Sequence, residues 1–375
     1  MKILIVTNYI PNYAHCFILA LSKKIFNSAI HVIADINNDF DLNQFKKNKH
    51  YQVYNCPIKF LGPFCYRVGI IKKILKINPD KVIFYANPRD ISIYIGIIFC
   101  KLKNITTFTH GMFHRIGPMN FFTRFAYSFF FNFSTSCMTY SRKGAQVLYA
   151  LGHDLNKVFV VGTAIDEKKI IYIKKKLFNK KNIFEKLKKK YPNLNKTIVL
   201  QVVRMSKIKN PLLIIEAANY LIKIKKKNIS FVIVGKGELF NDFKILIKKY
   251  SLEKNFIILG EVYNENILAK WFFLANCFVV PSCIGLSLHH AFAYGVPVIS
   301  DDSIIYQSSE AEILKNRING LTYKSFDAKD LANKIDILIR NKKLRSYLSK
   351  NAIKTLLSVN KLEDKVKKFS DVILN

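Results

Sequence analysis

The chain has 375 residues, half of them hydrophobic, which is enough for two packed cores, since single cores rarely grow past ~250–300 residues. Its formal charge of +35 invites an anionic partner, yet no RNP, zinc-finger or helix-turn-helix signature accompanies it, and the lysines are spread among Ile, Asn and Phe as an AT-rich coding sequence would leave them. Composition therefore argues against nucleic acid and for an anionic membrane face, where each surface Lys or Arg contributes about 1 kcal/mol.

Seven cysteines lie scattered without a C-x-x-C pair, which reads as reduced and intracellular rather than as a disulfide framework. No clustered Asp or His set suggests a metal site. Met1-Lys2 leads straight into the strand Ile3–Val6 with no signal-peptide core, and no run of ~18–20 apolar residues could span a bilayer. The expected location is cytoplasmic, peripheral on the inner face of the cell membrane.

Strand and helix signals alternate from the start: Ile3–Val6, an amphipathic run from Tyr13 to Phe26, Ile30–Ala34, Lys81–Tyr85, Ile91–Leu102 and Thr106–Thr109. That rhythm predicts a mostly parallel α/β sheet, with ligands at the loops that follow strands. The first such loop, Thr7 to Tyr13, carries no G-x-G-x-x-G, so a dinucleotide cofactor is not expected. His110-Gly111 ends a strand where a ligand can approach the glycine closely. The window Met119–Phe133 is the most aromatic in the chain; it reads either as a packed core helix or as an interfacial helix flanked by Arg115, Arg124, Arg142 and Lys143. A lysine-rich helical stretch to Lys190 places the domain boundary within residues 163 to 195.

Beyond it, four strand ends in succession carry chemistry. Ile198–Val203 runs into Arg204 and Lys209, which suit a phosphate clamp. Phe231–Val234 ends in Gly235-Lys-Gly237, and Phe256–Leu259 ends at Gly260. Cys277–Val280 leads to Gly285-Leu286 at the head of a helix, a cradle for an anion.

The ordered segments VVRMSKIKNP, IVGKGE, ILGEV, WFFLANCFVVPS, GLSLHHAFAYGVPVIS and NGLTY resemble the C-terminal domain of family 4 glycosyltransferases, over about Thr197 to Ala328. The resemblance implies a GT-B fold: two Rossmann-like, doubly wound parallel-sheet domains facing a cleft. Residues 1–165 would be the acceptor-side domain, 166–196 a linker region and 197–357 the nucleotide-sugar domain. Residues 358–375 would form a helix crossing back to the first domain. It also implies a retaining, metal-independent hexosyl- or N-acetylhexosaminyltransferase with a UDP- or GDP-sugar donor. The acceptor would be an oligosaccharide or lipid-linked saccharide in lipopolysaccharide, capsule or oligosaccharide assembly.

By the same resemblance Arg204 and Lys209 neutralise the donor diphosphate, Gly235 and Gly237 turn beside the nucleotide, and Gly260, Glu261 and Val262 hold the base. Gly285, Leu286 and Ser287 open the helix whose amides meet the distal phosphate, and His110 lies near the donor sugar. The common pattern has a glutamate before the helix glycine and another inside the helix. Here Ile284 precedes Gly285 and His290 occupies the helix position, which resembles a variant subgroup with a later P-E-x-E-A-I, read here as Ser309-Glu-Ala-Glu-Ile313. His290 is then the expected ribose or phosphate contact, and Glu310 or Glu312 the carboxylate facing the donor. Two other readings stay open: a sugar-nucleotide epimerase on the same fold, and a basic membrane- or nucleic-acid-binding protein without catalysis.

Overall fold

The computed structural model describes residues 1–36, 49–180, 182–359 and 361–375. The chain forms two compact units, Met1–Asp166 with Asn360–Asn375, and Glu167–Val359.

The first unit runs β1 (Lys2–Val6), α1 (Asn12–Lys24), β2 (Ala29–Ala34), β3 (Tyr51–Asn55), a hairpin of β4 (Ile58–Leu61) and β5 (Phe64–Arg67), then α2 (Ile70–Ile77) and β6 (Lys81–Tyr85). It continues through α3 (Ile91–Leu102), β7 (Thr106–Gly111), α4 (Phe121–Phe133), β8 (Ser136–Thr139), α5 (Arg142–Ala150) and β9 (Val158–Val160). Seven strands pair in the order β3-β2-β1-β6-β7-β8-β9, every pair parallel. Strands such as Val82-Ile-Phe84 are buried on both faces, as apolar runs in a helix-covered parallel sheet must be. The expected starts of helices have local causes: Asp90 caps α3 through the Ser92 amide, and Asn120 caps α4 through the Thr123 amide.

Of residues 166–196, expected as a linker region, Asp166 ends the first unit, while α6 (Glu167–Phe178) and α7 (Ile183–Lys190) belong to the second. That unit continues with β10 (Ile198–Val202), α8 (Leu213–Asn219), β11 (Ser230–Val234), α9 (Phe240–Lys249), β12 (Phe256–Gly260), α10 (Glu265–Leu274) and β13 (Cys277–Val279). It ends with α11 (Ser287–Tyr294), β14 (Val298–Asp301), β15 (Gly320–Tyr323), α12 (Ala328–Arg340) and α13 (Lys342–Val359). The six strands are parallel in the order β12-β11-β10-β13-β14-β15.

The last helix, α14 (Leu362–Leu374), is part of the first unit. Its buried residues Val366, Phe369 and Ile373 join Phe17, Ile18 and Leu21 of α1 in one core, with the Phe17 and Phe369 rings edge to face at 5.0 Å. Among the described residues no helix is long and apolar enough to cross a membrane.

Candidate functional site

In the second unit the sheet order reverses between β10 and β13, which are neighbours although two strands separate them in sequence. Loops leaving the carboxyl ends of such a strand pair diverge and open a crevice, the usual ligand site of open α/β sheets. Arg204 and Lys209 lie on the loop after β10, and Gly285, Leu286 and Ser287 follow the loop after β13.

These two loops touch. The Lys209 Nζ donates to the Cys283 carbonyl, and a Cβ on Gly285 would stand 3.5 Å from the same ammonium. Arg204 is exposed, and its side chain makes no hydrogen bond or ion pair among the described residues. One cation is therefore fixed at the head of α11 and a second reaches outward. The N-terminus of α11 has no side-chain cap; its Leu288 and His289 amides donate to Gly285 O at 2.9 Å and Leu286 O at 3.0 Å, so the amides left for an anion are those ahead of them, where the helix dipole adds positive potential.

The loop before α11 is held from behind. Cys283 sits in the left-handed region at φ 50°. The Ile284 amide donates to Gln307 Oε1 at 2.8 Å, and the Ser308 hydroxyl is shared between the Ile284 carbonyl and Glu310 Oε2, the latter at 2.8 Å. Glu310 is thereby brought to the residue that precedes Gly285. Glu312 lies two residues further along the same short helical turn.

Gly235 and Gly237 have a packing reason for being glycine. The loops after β10 and β11 run against each other, with Met205 N on Lys236 O at 2.9 Å and Leu239 N on Met205 O at 3.0 Å. A Cβ at Gly235 would be driven into the Val203 carbonyl oxygen, and one at Gly237 would come within 2.5 Å of Met205 O. Both have φ in the region that favours glycine, 130° and 156°. Gly260 accepts the Gly235 amide at 2.7 Å, after which Glu261 is exposed and Val262 half-buried.

His290 lies on the second turn of α11. Its Nε2 is 3.4 Å from Glu265 Oε2, and Tyr294 donates to Glu265 Oε1 at 3.4 Å. Glu265 opens α10, immediately after the capping residue Asn264. Burial alone would raise its carboxyl pKa, but the His290 and Tyr294 hydrogen bonds and the charges of His290 and Lys169 hold it below the ordinary carboxylate range. Sequence reasoning missed Glu265. No spacing links it to His290, and only the Asn-Glu helix start after the third strand end could have drawn attention to it.

In the first unit His110 closes β7, its ring set edge-on to Tyr140 at 4.7 Å and to Phe369 of α14 at 5.0 Å. Its Nε2 is buried and has no hydrogen-bond partner among the described residues. Burial, with the charge of Lys365, pushes its pKa well down, so the imidazole is neutral. This unit has its own switch point, between β1 and β6. Arg67, at the end of the hairpin, crosses it: Nε meets Asp90 Oδ2 at 2.7 Å, Nη1 the Thr7 carbonyl at 2.8 Å and Nη2 Asn8 Oδ1 at 2.6 Å. Both members of the ion pair are fully buried. Among the described residues no group of three His, Cys, Asp or Glu side chains is placed to hold a metal ion.

A cationic loop, a helix N-terminus without a side-chain cap and two glycine-tightened strand ends thus lie around one switch point. Residues 182–355 match the family model "Glycosyl transferases group 1". Two curated relatives of that kind extend the similarity. The chain is 29% identical over 274 residues to the N,N'-diacetylbacillosaminyl-diphospho-undecaprenol alpha-1,3-N-acetylgalactosaminyltransferase of Campylobacter jejuni, covering 69% of this chain and 65% of that protein. It is 27% identical over 186 residues to the Escherichia coli UDP-Gal:alpha-D-GlcNAc-diphosphoundecaprenol alpha-1,3-galactosyltransferase, covering 48% and 46%. The chain thus spans less than two thirds of either relative's length. Among solved structures, Anabaena Alr3699/HepE in complex with UDP matches the whole of both chains with a TM-score of 0.77 at 14% identity. That likeness, with the two parallel sheets described above, establishes the GT-B fold.

Proposed function

We propose that this protein is a retaining glycosyltransferase that moves a hexosyl or N-acetylhexosaminyl unit from a UDP- or GDP-sugar to a lipid-linked saccharide in bacterial surface-glycan assembly. The observation that carries the reading is the meeting of Lys209, Gly285 and the uncapped α11 N-terminus across the β10/β13 switch point, with Arg204 reaching outward beside them. The leaving group is a nucleoside diphosphate. Its growing charge is met by two cationic side chains and a helix terminus already aimed at it, so the barrier is lowered electrostatically and no divalent ion is called for.

In this reading the base lies along Gly260, Glu261 and Val262, and His290 contacts ribose or phosphate. Ser287, at the first helical position, adds an amide to the distal phosphate. Glu310, tied through Ser308 to the residue ahead of Gly285, is the carboxylate facing the donor sugar, with Glu312 the neighbouring candidate. His110 keeps, by the resemblance alone, a place near the transferred sugar; its Nε2 is buried and would have to be uncovered to reach a ligand. The acceptor binds the first unit, at the carboxyl ends of its strands. The names of both relatives contain a diphosphoundecaprenol acceptor, which supports the lipid-linked class and a peripheral place on the cytoplasmic membrane face.

The test is a thermal-shift panel with UDP, GDP, ADP and CMP, followed by hydrolysis of the matching donor with EDTA present. Arg204→Ala and Lys209→Ala should each weaken the preferred nucleotide about tenfold or more, as loss of a charge-assisted contact worth ~1.5–3 kcal/mol requires. Unchanged binding in both variants refutes the diphosphate assignment.

A further inference from the structure

The lysine-rich stretch that opens the second unit encloses a cavity of its own. Residues 174–190 hold nine lysines against a single acid, Glu185. In the fold these lysines divide by task. Lys174 donates to the Ala293 carbonyl of α11 at 3.3 Å, and Lys188 meets the Pro192 and Leu194 carbonyls just past α7 at 2.6 and 2.7 Å. The cation that a helix C-terminus favours is therefore already in place as Lys188.

Other lysines have no such task. Ile183, Lys186, Leu187 and Lys190 stand at i, i+3, i+4 and i+7 of α7, one face of the helix, and that face lines a cavity of about 530 Å³. Leu177 of α6 extends the apolar floor made by Ile183 and Leu187. Lys180, between the two helices, and Lys270, from α10, bring the cations around the cavity to four. The whole lining belongs to the second unit and shares no residue with the crevice at the β10/β13 switch point.

Four ammonium groups thus border one volume that no acidic side chain lines. Among the described residues none of the four makes a hydrogen bond or an ion pair; Lys190 lies 5.4 Å from the Tyr191 ring centre. Lys186 and Lys190 are four apart on one helix, where like charges weaken the helix instead of supporting it. Folding gains nothing from gathering these charges, whereas an anion entering between them is drawn by all four. The apolar floor strengthens that pull by lowering the local dielectric. Ammonium groups on flexible stems suit phosphate oxygens as point charges, and the volume lies in the range of small-molecule sites.

We propose that this cavity is a second anion site, separate from the diphosphate clamp, that takes a soluble small molecule carrying two or more linked phosphates. Binding here does not depend on the donor clamp, and the test keeps the two apart. Inorganic tripolyphosphate is titrated by calorimetry into the full chain carrying Arg204→Ala/Lys209→Ala, in which the clamp cannot compete. One equivalent should bind, and more weakly as salt rises. Lys186→Gln/Lys190→Gln should weaken it roughly tenfold or more and Lys270→Gln about threefold or more, as loss of charge-assisted contacts requires. The exposed lysines 248 and 249 of α9 lie outside the cavity, so Lys248→Gln/Lys249→Gln, with the same change of net charge, should leave the affinity within about twofold. Glutamine is close to lysine in helix propensity, and a thermal melt checks each variant. Lys270 lies on a different helix, so it stays informative if the α7 variant misfolds. Absence of binding to the clamp-disabled chain overturns the site, as does unchanged affinity in both cavity variants. An equal loss in the α9 variant also overturns it, since the ligand would then respond to net charge alone. Tripolyphosphate binding lost only in the cavity variants, in a chain that no nucleotide shifts, supports the cavity and counts instead against the donor clamp.

Discussion

Replacing Arg67 by Met should destabilise the first unit by about 3–5 kcal/mol, the usual cost of stripping a buried charge of its partner. The geometry explains the size. Among the described residues Arg67 is the only cation on the fully buried Asp90 carboxylate, and it also satisfies the Thr7 carbonyl and the Asn8 side chain. Removing it leaves a buried carboxyl group with backbone hydrogen bonds from Ser92, at 3.1 Å, and Ile93 but no counter-charge, and burial already holds its pKa above the ordinary value. Urea unfolding separates the units, because the single tryptophan, Trp271, reports only the second. With a slope of about 2 kcal/mol/M, the circular-dichroism midpoint of the first unit should fall by roughly 2 M while the tryptophan transition stays put. Asp90→Asn keeps the cap on α3 and removes the charge, so Arg67→Met/Asp90→Asn should recover at least half the loss. A single-variant cost below about 1 kcal/mol, or a double variant that loses the full sum, would refute the reasoning.

Gly235→Ala should cost several kcal/mol, because its Cβ meets the Val203 carbonyl at a φ of 130°; a melting temperature within a degree or two of wild type would contradict this. Glu265→Gln should weaken UDP or GDP binding by loosening His290, whereas a merely structural Glu265 would lower the melting temperature and leave affinity alone. The pKa of Glu265 is lowered on folding, so its contribution to stability is present above the ordinary value of 4.5 and is lost as pH falls through the lowered one. The melting-temperature gap between wild type and Glu265→Gln should thus be full at pH 7 and shrink in strong acid; a gap that widens there would reverse the assignment. Burial pushes the thiols of Cys100, Cys137 and Cys277 up to about 12, and of the seven cysteines only Cys16 is not buried. A thiol reagent at pH 8 should modify at most Cys16 before unfolding, which counting labelled thiols by mass spectrometry would check.

Strand positions were legible because a parallel sheet demands unbroken apolar runs: Ile30–Ala34 and Lys81–Tyr85 fall where the hydrophobic pattern puts them. The strand-end motifs of the second unit were legible because their residues are local, a cation pair within six residues and a glycine at a helix head. Contacts made across the chain were not. Arg67 and Asp90 are 23 residues apart, and Glu265 and His290 are 25, and neither pair has a spacing that any single element would impose. The glycine pair shows the intermediate case: Gly235 and Gly237 were visible, but their contact with the Val203 and Met205 carbonyls could only emerge once two loops had folded together.

The return of α14 to the first unit has a consequence for how the chain is made. Val366, Phe369 and Ile373 complete the core around Phe17, and Phe369 closes over His110. None of them exists until some 360 residues have been synthesised. At about 5–20 residues per second, the first unit waits ~10–40 s with that wall open while the second is produced. The second unit is contiguous, from Glu167 to Val359, and can close before it. Translation order and folding order are therefore inverted, and a protein cut short just before α14 would present a finished second unit joined to a first unit missing one side of its core.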